Sequence, residues 1–185
     1  RALAHYAHDA REAFEITAND RVLQFASINF DTSAEEIYPC WLAGGTLVLR
    51  SEEMISSIER FVAESHRLGI TVLDLPTAYW HEWVAELADP ASGLTRSVPD
   101  SLRLVILGGE AAQRDRWLAW RTRVGERVRL LNTYGPTEAT IVSTRFDLTA
   151  ADGAAFAQPP IGRPIAGGAG YIVDVADQLA AAGCD

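Results

Sequence analysis

Apolar residues fall into two different periods along this chain. Five short β-rich runs, Val22 to Ser27, Thr46 to Leu49, Thr71 to Leu75, Leu104 to Leu107 and Arg127 to Leu131, are nearly continuous in hydrophobic character. Runs of that kind suit parallel strands buried on both faces. Between the second and third runs the period changes. Met54, Ile55, Ile58, Phe61, Val62 and Leu68 recur at helical spacing, with Gly69 placed to end the helix. Further helices are predicted over Leu3 to Ala13, Ala34 to Leu42, Thr77 to Leu87 and Arg114 to Val124, and Pro76 stands where a helix can start. The alternation predicts an α/β fold, a doubly wound and mostly parallel sheet flanked by helices. Ala150 to Pro160, rich in Ala, Gly and Pro, reads as a connection to a last strand around Tyr171 to Val173.

Open parallel sheets collect ligands at the carboxyl ends of their strands. Four loops there carry polar or conformationally free residues: Asn29-Phe30-Asp31-Thr32-Ser33, Asp74, Gly108-Gly109-Glu110, and Asn132-Thr133-Tyr134-Gly135-Pro136-Thr137-Glu138. In the last, Tyr134 can cover a flat base, Thr137 can hydrogen-bond a phosphate oxygen, and Glu138 is a hard oxygen ligand of the kind Mg²⁺ prefers. A tight βα turn with a polar rim is the plainer alternative. Gly108 and Gly109 let the backbone approach a ligand closely, with Glu110 at the mouth of the next helix, though two glycines after a strand also make an ordinary turn. Asp31 either caps the helix that starts near Ser33 or faces the cleft; Ser33 can cap in its place and leave the carboxylate free.

Composition narrows the partners. With 185 residues, 48% hydrophobic and 22% charged, the chain suits one globular domain. A net charge of −9 argues against a nucleic-acid partner. No run of about 18 apolar residues occurs, which excludes a membrane span of helical type. Cys40 and Cys184 lie far apart, which favours a reduced, cytoplasmic setting with Cys40 as a buried small hydrophobe. Neither a Walker loop nor a Gly-x-Gly-x-x-Gly occurs. His5 and His8 read as an exposed helix face, and Trp80 and Trp83 as helix packing against the sheet. The chain opens inside a helical pattern at Arg1 and closes at Asp185 without a structural stop, so residues 1–185 read as an internal fragment of a longer domain.

Assembled, these residues strongly resemble the adenylation domains of nonribosomal peptide synthetases, members of the adenylate-forming, AMP-dependent ligase superfamily. The resemblance rests on Asn29-Phe30-Asp31-Thr32-Ser33 with Trp41-Leu42-Ala43-Gly44-Gly45, on Asn132 to Glu138, and on Pro159-Pro160-Ile161-Gly162-Arg163-Pro164. It implies part of the large N-terminal subdomain, with the upstream phosphate loop and the C-terminal subdomain outside this stretch. It implies ATP and Mg²⁺, attack of an amino-acid carboxylate on the α-phosphorus to give aminoacyl-AMP, and transfer to phosphopantetheine on a peptidyl carrier protein. By similarity, Asn132 and Tyr134 would meet adenine, and Gly109, Glu110 and Gly135 would border the nucleotide. Thr137 and Glu138 would act at the phosphates and metal, and Asp31 would pair with the substrate's α-ammonium.

The same resemblance maps the substrate pocket to Asp31, Thr32, Glu35, Asp74, Ile106, Gly108, Thr133, Ile141 and Val142. Many relatives place a large aromatic where Glu35 stands. Buried carboxylates ask for a cation, so Glu35 and Asp74 with apolar walls suit a long stem ending in an ammonium, and the set resembles patterns for lysine or β-lysine, with ornithine next. The plainer alternative makes both acids surface residues. An acyl-CoA or aryl-acid ligase is the rival within the superfamily, and a noncatalytic binding module the rival outside it.

Overall fold

The computed structural model describes residues 1–92, 98–173 and 177–179. Its strands are β1 (Arg21–Gln24), β2 (Thr46–Leu49), β3 (Val72–Pro76), β4 (Leu104–Gly108), β5 (Arg129–Tyr134), β6 (Thr144–Asp147) and β7 (Arg163–Pro164). Its helices are α1 (Ala2–Ala13), α2 (Thr32–Leu42), α3 (Ile58–Arg67), α4 (Thr77–Ala88) and α5 (Arg114–Val124). The strands form one sheet in the order β2-β1-β3-β4-β5-β6-β7. Pairing is parallel from β2 across to β5 and antiparallel at β5–β6 and β6–β7.

Alternation along the strands sorts side chains between two layers. Val72, Leu104, Ile106 and Leu131 pack with Tyr6, Ala10, Phe14 and Cys40 beneath α1 and α2. Leu73, Leu75, Val105, Leu107 and Leu130 pack with Phe61, Trp80, Trp83, Trp117 and Trp120 against α3, α4 and α5. The expected packing role of Trp80 and Trp83 holds: both are fully buried, and Trp83 meets Trp120 edge-on at 5.2 Å. Burying a side chain such as Phe61 contributes roughly 1.5–3 kcal/mol. Helices thus change faces where the strand order reverses, between β1 and β3, and a crevice opens there at the carboxyl ends. Asp74 pairs in register with Ile106 and shares its parity, so its carboxylate points towards α1 and α2.

Far from that crevice, a polar staple fixes the other end of the sheet. Asp20 accepts hydrogen bonds from Thr17 N (2.8 Å), Thr71 Oγ1 (2.7 Å), Arg103 Nε (2.8 Å) and Arg103 Nη2 (2.9 Å). Burial alone would raise its carboxyl, but these bonds, led by Arg103, outweigh it and hold the group well below the usual range.

The structure departs from the sequence reading in three places. Residues 54–68 are not one helix: a 3-10 turn at Met54–Ser56 precedes α3, because Ser57 is extended and accepts from Arg60 N as the helix cap. The strand expected at Tyr171 to Val173 is only an isolated bridge from Val173 to Leu179, and β6 and β7 complete the sheet instead. β5 runs on to Tyr134, so Asn132 and Thr133 belong to a strand rather than a loop. Gly69, at φ +62, follows α3 as expected, and Cys40 is fully buried, while Cys184 lies outside the described residues. Among the described residues no helix is long and apolar enough to cross a membrane.

Candidate functional site

A cavity of about 290 Å³ occupies the crevice. Asp31, Thr32 and Glu35 reach it from α2 and its N-terminus, Asp74 and Gly108 from β3 and β4, and Gly109 from the next loop. Thr133, Gly135, Thr137, Ile141 and Val142 line it from β5 and the loop beyond. Residues more than 100 positions apart therefore meet as the sheet architecture requires. Phe30 and Pro136 also line the wall, without a role foreseen from sequence.

Other expected residues stand elsewhere. Ile106 is buried under the cavity, where with Glu35 and Asp74 it bounds a void of only about 10 Å³; it forms floor rather than wall. Glu110 lines an adjoining space of about 520 Å³ with Phe25, Arg50 and Pro76. Asn132, expected at a base edge, is buried and commits an amide hydrogen to the Pro160 carbonyl at 2.8 Å, which ties the Pro159-Pro160 segment to β5. It lines neither cavity. Tyr134 is half exposed where β5 ends, and Glu138 is exposed on the 3-10 turn Thr137–Ala139.

The loop after β5 is held in a costly shape. Thr140 and Ile141 both take left-handed backbone angles, φ +65 and +72, which β-branched residues avoid. Each such residue costs on the order of 1–3 kcal/mol and persists only where its surroundings insist on it. Here the shape turns Ile141 and Val142 into the cavity. Gly135 permits it, since a Cβ there would stand 2.6 Å from Ser143 N and closer still to the Ile141 carbonyl.

Asp31 occupies the cap position of α2 but makes no side-chain cap bond. Ser33 does not cap either: it lies inside the helix, and its hydroxyl donates to the Phe30 carbonyl at 2.7 Å. The Asp31 carboxylate is left at the cavity wall. Glu35 and Asp74, at 4% and 3% exposure, are not surface acids. Burial pushes the Glu35 carboxyl up to about 7; the facing Tyr6 hydroxyl opposes this, Glu36 and Asp31 add to it, and Arg145 opposes it. Asp74 is raised well above the ordinary range by burial and by the charges of Glu35 and Glu36. Glu35 Oε1 and Asp74 Oδ2 are buried without hydrogen-bond partners.

Glu36 was missed by sequence reasoning, although the Glu35-Glu36 doublet in an apolar helix was its signal. Its carboxylate accepts from Phe25 N and Ala26 N, each at 2.9 Å, and from Gln24 Nε2 at 3.2 Å, so it fastens the exit of β1 to α2. His5 and His8 are exposed, and His5 Nε2 donates to the Ala166 carbonyl at 2.9 Å.

Comparison with known proteins agrees with this architecture. The sequence matches the family described as AMP-binding enzyme over residues 1–184. The isonitrile lipopeptide synthase of Streptomyces coeruleorubidus is 46% identical over 177 residues, covering 94% of this chain and 12% of that protein. Gramicidin S synthase 1 of Brevibacillus brevis is 33% identical over 171 residues, 92% of this chain and 14% of that one. Among solved structures, the Vibrio cholerae adenylation domain AlmE in complex with glycyl-adenosine-5'-phosphate superposes with a TM-score of 0.80 at 27% identity, over 96% of this chain and 32% of that one. The chain spans only a small part of the length of these relatives. It belongs to the AMP-binding enzyme family, among the adenylation domains of nonribosomal peptide synthetases.

Proposed function

We propose that this chain supplies the amino-acid pocket and part of the nucleotide site of an enzyme that activates a diamino acid, lysine or β-lysine first and ornithine next. The observation that carries the reading is the convergence of Asp31, Glu35 and Asp74 on one cavity, with buried oxygens left unpaired. An α-ammonium pairs with Asp31, and a distal ammonium pairs with Glu35 and Asp74. Ile141 and Val142 pack on the methylenes between them, beside the bare backbone of Gly108 and the small Thr133. At about 4 Å and an effective dielectric near 20, one such ion pair is worth roughly 4 kcal/mol before desolvation. Net selectivity after desolvation is smaller, and adds to what the methylene contacts discriminate.

In the reaction, a carboxylate oxygen of the substrate attacks the α-phosphorus of ATP, the bond to the bridging oxygen of pyrophosphate breaks, and aminoacyl-AMP forms. The protein provides position and charge rather than a nucleophile. In this reading Thr137 holds a phosphate oxygen and Tyr134 covers the base, with Gly109, Glu110 and Gly135 bordering the nucleotide. Asn132 acts one layer down, anchoring the backbone beside β5. The exposed carboxylate of Glu138 suits Mg²⁺, which commonly takes one or two protein carboxylates and completes its shell with water and substrate phosphates. When bound, the ion neutralises charge on those phosphates. The phosphopantetheine thiol of a carrier protein, giving up its proton, then attacks the acyl carbon, the acyl–phosphate bond breaks and AMP leaves; a cytoplasmic setting, where ATP is made available, suits this chemistry.

Pyrophosphate exchange by the intact protein tests the reading. Lysine, β-lysine or ornithine should support exchange well above leucine, phenylalanine or an aryl acid without an α-amine. Preference for the aryl acid or a neutral amino acid would remove it.

A further inference from the structure

Tyr6 belongs to none of the motifs that the sequence assigns to a ligand, and it stands on a helix, α1, that contributes nothing to the cavity wall. It is 2% exposed, and its hydroxyl has no hydrogen-bond partner. Its ring packs among Ala10, Phe14 and Cys40 under α2, and the group its hydroxyl faces is the Glu35 carboxylate. The contact is not closed to a bond of good geometry, since Tyr6 Oη and Glu35 Oε1 both remain unsatisfied. Three elements, α1, α2 and β3, thus each deliver a buried polar atom without a partner: Tyr6 Oη, Glu35 Oε1 and Asp74 Oδ2. Native interiors rarely leave such atoms unpaired, so three from neighbouring elements call for partners to one another or to a substrate. The phenol is a donor, and ionised carboxylates only accept.

The charged groups around Glu35 are accounted for. Asp31 at the cap of α2, Glu36 on α2 and Asp74 on β3 repel its charged form, and Arg145 on β6 favours it. Arg145 is already engaged by Asp9 of α1 through both terminal guanidinium nitrogens, Nη1 and Nη2. Tyr6 is therefore the facing donor that no other acceptor claims among the described residues.

We propose that Tyr6 is a positioning residue for side-chain selection: its hydroxyl donates to Glu35 when a cationic side chain fills the cavity, keeping that carboxylate charged and aimed at the distal ammonium. The inference rests on reading the cavity as a diamino-acid site. Without the hydroxyl, Glu35 takes up a proton more readily, because a hydrogen bond to the charged form favours that form. Cation recognition then fails at a higher pH, while contacts to the methylenes and the α-ammonium persist.

The test is the pH profile of kcat/KM in the intact enzyme, for lysine and for norleucine, its uncharged counterpart. In Tyr6→Phe, which keeps the ring, the acid limb for lysine should move up by about 1 pH unit, as loss of one hydrogen bond to a charged group implies. KM for lysine should rise at neutral pH with kcat little changed, and norleucine should be unaffected. Placing 3-fluorotyrosine at position 6, a stronger donor, should move the limb the other way and keeps the test available if Tyr6→Phe folds poorly. A wild-type lysine preference with an unmoved limb in both variants overturns the role of Tyr6 alone, as do equal losses for lysine and norleucine. Absence of any lysine preference in the wild type overturns the reading of the cavity, and this inference with it.

Discussion

Glu35 on α2 and Asp74 on β3 enter one cavity from facing elements, and each leaves a buried oxygen without a hydrogen-bond partner. Parity places Asp74: it stands opposite Ile106 on the side of the sheet that α2 covers. Two uncompensated buried acids cost stability, and proteins keep such an arrangement where a ligand uses it.

Charge removal at Glu35 should therefore stabilise the empty protein. Its carboxyl is raised from 4.5 to about 7, so the folded state binds more protons than the unfolded one between those values. The sign follows directly: its contribution is fully present below pH 4.5 and is lost as pH rises through about 7. Glu35→Gln should be more stable than wild type at pH 8, on the order of 2 kcal/mol, with the gap closing towards pH 5. Denaturant unfolding at both values checks this.

The Asp20 staple should behave in the opposite way. Against the effect of burial, its carboxyl is lowered by Arg103, Thr71 and Thr17, so its contribution is present above the ordinary carboxylate range and is lost as pH falls through the folded value. Asp20→Asn leaves Arg103 without its acid and should cost about 3 kcal/mol at neutral pH, read by the shift in the unfolding midpoint.

Gly135→Ala should disable the site by displacing the loop that follows β5. A Cβ there meets the backbone of Ile141 to Ser143, not a side chain that could swing aside. The loop carrying Thr137, Ile141 and Val142 must move, and a displacement near 1 Å costs on the order of 10²-fold in activity. Exchange rates at saturating ATP and lysine measure that loss.

Much of the fold was legible because β1, β3, β4 and β5 are largely covered on both faces, and because the edge strand β2, though exposed at Thr46 and Leu49, is still an apolar run. β6 was not, since Thr144 to Asp147 mixes polar and apolar residues and leaves only partly covered side chains. Its partner is fixed by antiparallel pairing with β5, a long-range fact that local pattern does not carry. The break at Ser57 was readable as a cap within an otherwise unbroken helical period. The cavity wall was legible where motifs cluster, from Asp31 to Glu35 and from Thr133 to Val142. Behind the wall, Glu36 left only the Glu35-Glu36 doublet as a signal, and Tyr6 left none, because burial and the facing Glu35 carboxylate set its surroundings.

The most direct test of the account compares lysine with norleucine in the intact enzyme, with and without the two acids. Wild type should favour lysine strongly in kcat/KM, and the double variant Glu35→Gln, Asp74→Asn should lose that preference while still activating norleucine through Asp31. A double variant that keeps the wild-type ratio of lysine to norleucine would contradict the account.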